Sequence, residues 1–244
     1  MTALGFLYPG HSGEDDYPRI EQLLGSDVRV DLVHTDIGEG AHRELDVLRE
    51  MGSPQRLEEG TAGLRLAGAD AVVWACTSGG FVHGWEGAQE QVTHLARTAG
   101  LPASSTSFGF VHAAREIGVR RVAVGATYPD DVARLFADFL AAAGLETVAV
   151  AGSGVGTAAE VAAWTGAEVL ALARAADRPE AEAVLLPDTA LHTAAHIPLL
   201  EKELGKPVLT ANQVTVWEGL RLADRRVNAP QLGALFTREP VVQM

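Results

Sequence analysis

Short apolar runs at 3–8, 28–33, 71–75, 121–126, 146–151, 183–186 and 207–210 alternate with stretches of helical period along the whole chain. Strands separated in this way are joined by crossover connections rather than tight hairpins, so they pair in parallel. The expected fold class is therefore α/β with parallel sheets. In 131–143, Val132, Leu135, Phe136, Phe139 and Leu140 recur at i, i+3, i+4, i+7 and i+8, and Gly144 closes the stretch. A second helix is expected over 189–204, with Ile197, Leu200 and Leu204 on one face and Gly205 and Pro207 as stop signals. Thr157-x-x-Glu160 and Thr165-x-x-Glu168 each have the form of a capping box.

The alternation repeats. Leu7-Tyr8-Pro9-Gly10 after the first strand matches Thr127-Tyr128-Pro129-Asp130 after the strand at 121. Ala71-Val72-Val73-Trp74-Ala75-Cys76-Thr77 matches Ala183-Val184-Leu185-Leu186-Pro187-Asp188-Thr189, and 101–107 matches 206–212. Tyr8 and Cys76 are 68 positions apart, and Tyr128 and Asp188 are 60 apart. Landmarks recurring in one order imply two copies of one lobe. The expected division is lobe 1 over 1–118, lobe 2 over 119–224 and a tail over 225–244. Terminal helices are free to cross between lobes, and the tail, with Pro230 and Pro240, is expected to pack on a lobe or on a partner subunit. Ligands of open parallel sheets lie at the carboxyl ends of the strands. Two facing lobes would then bring Cys76 and Asp188 to one cleft from opposite sides, with Thr77, Thr189, Tyr8 and Tyr128 around it.

Composition narrows the partners. The net charge is −13, with 47% hydrophobic and 21% charged residues, an ordinary globular balance. Nucleic acid and anionic membrane would be repelled. No apolar run approaches the ~20 residues of a membrane helix. The N-terminus reads as a first strand rather than an export signal, and the chain carries one cysteine, so a cytoplasmic location is expected.

That cysteine, Cys76, ends an apolar strand and opens the polar turn Thr77-Ser78-Gly79-Gly80. It has no internal disulfide partner, and a thiol near helix-start N–H groups is favoured as a thiolate. Aspartate opposite it can cap a helix; in a dry cleft a carboxyl group also holds its proton more tightly and can work as acid or base. His192 and His196, one helical turn apart, lack the glutamate of a zinc-protease motif, and a polar helix face is expected there. Gly152-Ser153-Gly154-Val155-Gly156 departs from G-x-G-x-x-G and reads as a sharp loop before Thr157. No G-x-S-x-G elbow is present.

Several blocks taken in order resemble the aspartate/glutamate racemase superfamily. They are Ala75-Cys76-Thr77-Ser78-Gly79, Ser105-Thr106-Ser107, Gly118-Val119-Arg120-Arg121-Val122-Ala123, Thr127-Tyr128-Pro129, Thr157-Ala158-Ala159-Glu160-Val161 and Glu203-Leu204-Gly205-Lys206-Pro207-Val208, with Asn212-Gln213 and Trp217. The nearest branch looks like the maleate cis-trans isomerases and arylmalonate decarboxylases. The resemblance implies two flavodoxin-like lobes, each a parallel sheet with helices on both faces, related by a pseudo-twofold axis with the site between them. It implies an enzyme with no cofactor and no metal, acting beside a carboxylate of a small acid or dicarboxylate, and a homo-oligomer. Racemases and maleate isomerases of this type use one cysteine per lobe, whereas arylmalonate decarboxylases keep only the second-lobe cysteine and have glycine in the first. This chain has the first-lobe cysteine, Cys76, with Asp188 where the second would stand. Pro9, Ser12, Thr77, Ser78, Thr189, Tyr128 and Tyr8 are expected to bind substrate, and His11 to be a solvated loop residue. The leading expectation is isomerisation, by thiolate addition to a double bond or by proton exchange between Cys76 and Asp188. A malonate-type decarboxylase and an inactive small-molecule binder are the alternatives.

Overall fold

The computed structural model describes residues 1–37 and 44–237. Its first half runs β1 (Thr2–Pro9), α1 (Asp16–Leu24), β2 (Val28–Thr35), α2 (Leu45–Met51), α3 (Pro54–Leu66), β3 (Ala71–Trp74), α4 (Ser78–Phe81), α5 (Gly84–Ala99), β4 (Ala103–Ser105) and α6 (Thr106–Ile117). The second runs β5 (Arg121–Ala126), α7 (Asp130–Ala142), β6 (Glu146–Gly152), α8 (Ala158–Ala162), α9 (Gly166–Ala176), β7 (Ala183–Leu186), α10 (Ile197–Leu204), β8 (Val208–Thr210) and α11 (Ala211–Leu222). Two 3₁₀ turns, Pro230–Leu232 and Ala234–Phe236, follow.

The repeat in the sequence is a repeat in topology. The first sheet has the order β2-β1-β3-β4 and the second β6-β5-β7-β8. Every described pairing is parallel. β1, β3, β5 and β7 lie inside their sheets, and their buried residues are apolar or glycine because both faces are covered. The strand β4 lies in 101–107, a stretch that resembles 206–212 but is too polar to read as a strand alone.

The helix expected over 189–204 is shorter: α10 begins at Ile197, and 189–196 is a run of turns. Pro198 sets this limit. Its ring is tolerated in the first turn but would remove a hydrogen bond from a helix interior and clash with the preceding turn. His192 and His196 are therefore not neighbours on a helix face: His192 lies in the turns, and His196 is the N-cap of α10. The capping box at Thr165–Glu168 forms, and Thr157 accepts the Glu160 N–H.

Aromatic rings join the halves. Phe136 of α7 meets Phe81 at 5.1 Å and Phe110 at 5.5 Å, and Phe139 meets Trp85 at 5.1 Å and Phe108 at 5.4 Å. Phe136 is fully buried. Phe136→Ala leaves a cavity between α4, α6 and α7, and should lower the unfolding free energy by about 3 kcal/mol or more, as read from urea denaturation.

α11 follows the second sheet yet packs against α6 and the first sheet. The close approach depends on small residues. A Cβ on Gly109 would lie 2.8 Å from Val214, and one on Gly219 would lie 3.2 Å from Leu4 and Phe6. Glu218, fully buried on α11, accepts from His112 of α6 (3.0 Å) and from two nitrogens of Arg221 (2.8 Å each). Burial pushes its carboxyl up, but the Arg221 and His112 hydrogen bonds outweigh burial and hold it below its ordinary value. A depressed carboxyl stabilises the fold above the unfolded value near 4.5, and that contribution is lost as pH falls through the folded value. Stability should therefore drop on acidification below about pH 4.5, and Glu218→Gln should flatten that slope in denaturation measured across pH. The described part of the tail packs on α1, α6 and α10 of its own chain, burying Leu232, Leu235 and Phe236; Pro240 lies outside the described residues.

Candidate active site

Cys76 lies two residues beyond the end of β3, where the chain turns into α4. The residue is 3% exposed; its sulfur accepts the Gly79 N–H at 3.3 Å and lies 3.8 Å from the Ser78 hydroxyl. Glycine at 79 makes this possible. A Cβ there would lie 3.1 Å from the Trp74 ring and 3.2 Å from the sulfur. Gln91 of α5 holds the turn from behind, its amide nitrogen donating to the carbonyls of Gly79 (2.8 Å) and Gly52 (2.7 Å).

Asp188 lies two residues beyond β7, the matching place in the second sheet, and is 4% exposed. One carboxylate oxygen accepts the Thr127 hydroxyl, and the other accepts the Ala190 N–H at 2.9 Å. The Tyr128 hydroxyl donates to the Pro187 carbonyl at 2.8 Å. Asp188 thus caps a turn rather than the helix expected there.

One narrow cavity, about 60 Å3, opens between these two turns. Pro9, Ser12, Cys76, Ser78, Tyr128, Asp188 and Thr189 all line it. The rest of the described wall is apolar: Ile37, Val47, Leu48, Met51, Ala158 and Ala190.

Two residues expected on that wall lie behind it. Thr77 is fully buried, and its carbonyl accepts the Ser107 hydroxyl at 2.6 Å. Tyr8 is also fully buried, and its phenol is a brace. It shares a hydrogen bond with the Ser12 hydroxyl (2.7 Å), accepts the Gly13 N–H (2.9 Å) and donates to the Thr189 carbonyl (3.1 Å). Burial is the main cause that pushes this phenol well above its ordinary value, so it stays protonated and keeps donating.

Sequence reasoning missed the other braces. Asp16, buried at the start of α1, accepts from the N–H groups of Thr193 (2.8 Å) and Ala194 (3.1 Å) and from Asn212 Nδ2 (3.2 Å). It ties the first half to the turns after Asp188, while His192 pairs with the neighbouring Asp15. An aspartate at a helix start gives no sequence signal beyond ordinary capping.

Two like parallel sheets with a buried thiol and a buried carboxylate at their carboxyl ends define a class of two-lobed enzyme. The family model for arylmalonate decarboxylase matches residues 52–236. The chain is 32% identical over 176 residues to the arylmalonate decarboxylase of Bordetella bronchiseptica, covering 71% of this chain and 73% of that protein. Among solved structures it is similar to a glycine-to-cysteine, cysteine-to-serine double mutant of arylmalonate decarboxylase in the liganded form. That match has 25% identity and a TM-score of 0.84, over 97% of this chain and 99% of the other. It shares its fold with a Nocardia farcinica maleate cis-trans isomerase mutant holding a covalently bound succinylcysteine intermediate. There the identity is 20% and the TM-score 0.89, over 98% and 99% of the two chains. The chain belongs to the arylmalonate decarboxylase family. By that membership it is an enzyme. No helix among the described residues is long and apolar enough to cross a membrane.

Proposed function

We propose that the protein decarboxylates a malonate bearing an apolar substituent, with Cys76 as the proton donor. The observation that carries this reading is the cavity itself, where one thiol faces a wall of Ile37, Val47, Leu48, Met51, Ala158 and Ala190. The apolar wall suits the substituent and leaves a carboxylate placed against it poorly solvated, a charge that departs as CO2 forms. The C–C bond breaks, its electron pair passes into the remaining carboxylate as an enediolate, and the sulfur's proton moves to carbon. The thiolate then regains a proton from water. Hydroxyls of Ser12, Ser78 and Thr189 would hold the enediolate, which gains charge in the transition state. Asp188, held by Thr127 and Ala190, would fix the second turn.

The test is CO2 release from 2-aryl-2-methylmalonates in D2O. The expected product carries one solvent deuteron on the new C–H, with handedness opposite to that from a decarboxylase whose cysteine stands on the second lobe. No CO2 from any such malonate, or a product of the same handedness, would sink the proposal.

The Gly79 N–H at the sulfur favours a second reading, because it stabilises a thiolate able to add to a double bond. Maleate would then give fumarate, with a Cys76 adduct trapped for mass spectrometry. We further propose a homo-oligomer, which light scattering on the purified chain checks, and a cytoplasmic location, which cell fractionation checks.

A further inference from the structure

Outside the cavity, three potential metal ligands converge on the loop after β1. His11, Glu14 and His34 each present a donor atom, and the three atoms lie within 4.8 Å of one another. One Glu14 oxygen is shared, with His11 Nδ1 at 3.1 Å and His34 Nε2 at 3.5 Å. The two imidazole rings lie 4.0 Å apart between centroids. By sequence alone His11 is a solvated loop residue; the parallel pairing of β1 with β2, in which Tyr8 lies opposite His34, brings His34 beside it.

We propose that His11, Glu14 and His34 form a binding site for a borderline divalent transition metal ion of the zinc type. The distances fit. A tetrahedral ion with metal–ligand bonds of ~2.0–2.1 Å sets its ligands about 3.3 Å apart, and the two separations from Glu14 bracket that edge. Two imidazoles and one carboxylate select zinc, cobalt, nickel or copper over magnesium or calcium. Glu14 is already aimed, because its other oxygen accepts the Ser12 N–H at 2.5 Å. Both imidazoles are exposed, which leaves an entry path and room for water as the remaining ligand. An ion there would clip the loop carrying Ser12 to the end of β2, at the rim of the cavity.

Zinc titrated into the full chain by calorimetry tests this. The expected result is one saturable zinc per chain in the micromolar range. His11→Ala and His34→Ala should each weaken it by at least about 10-fold, the low end of what even an outer-shell loss costs a metal site. His192→Ala and Cys76→Ala should leave it unchanged. Zinc should also raise the melting temperature of the parent and not of His34→Ala. Absence of saturable binding below millimolar zinc would overturn the site. So would unchanged affinity in either His11→Ala or His34→Ala, or loss of binding in Cys76→Ala or His192→Ala.

Discussion

Cys76→Ala should lower turnover by about 10³-fold or more, in the range that loss of a proton donor costs, while the melting temperature stays close to that of the parent. The side chain is buried but small, and its polar contacts include the Gly79 N–H and the Ser78 hydroxyl at the cavity edge. Removing one sulfur therefore removes the acid or nucleophile without unmaking the turn, which Gln91 holds through backbone carbonyls. Cys76→Ser is the sharper comparison. It keeps the size and a hydroxyl proton but loses the readily formed thiolate, so it should be nearly as inactive as alanine. Steady-state kinetics with a melting curve on each variant decides the matter; turnover within tenfold of the parent in Cys76→Ala would remove the thiol from the reaction.

Gly13→Ala should reduce turnover by about 10²-fold, a loss typical of a displacement near 1 Å in a catalytic constellation. A Cβ on Gly13 would lie 2.6 Å from the Thr189 carbonyl oxygen and 2.9 Å from the Ala190 carbonyl carbon and oxygen. These are backbone atoms of the turn that carries Asp188, so no side chain can swing aside to make room. The two halves meet here with no spacer, and Tyr8 ties the same atoms together through Ser12, Gly13 and Thr189. The methyl group must push the second turn away from the first, opening the cavity and straining that hydrogen-bonded knot. Overpacking of this kind costs about 1–3 kcal/mol of stability. Retention of parental kcat/KM in Gly13→Ala would show that the turn tolerates the shift.

Strand positions were readable because interior parallel strands need apolar side chains on both faces, and β1, β3, β5 and β7 supply them. The pairing of Cys76 with Asp188 was readable for a related reason: a duplicated lobe puts equivalent residues at equivalent strand ends. Where local pattern competes with context, reading fails. The face carrying Ile197, Leu200 and Leu204 suggested one helix over 189–204, yet Pro198 confines the helix to Ile197 onward, and Asp16 takes up the N–H groups of Thr193 and Ala194 instead. The strand β4 was hidden because its small polar residues follow no strand pattern; its pairing with β3 makes it one.

The order of residues thus carries the parallel α/β plan, the duplication, and the thiol and carboxyl at corresponding strand ends. All of these follow from periodicity and spacing along one chain. The cavity's apolar wall, the Tyr8 and Asp16 braces and the His11–Glu14–His34 cluster join groups far apart in sequence. The wall and the braces depend on how the two sheets and α11 come together, and the cluster on the pairing of β1 with β2; burial and contact distances, rather than local pattern, choose these neighbours.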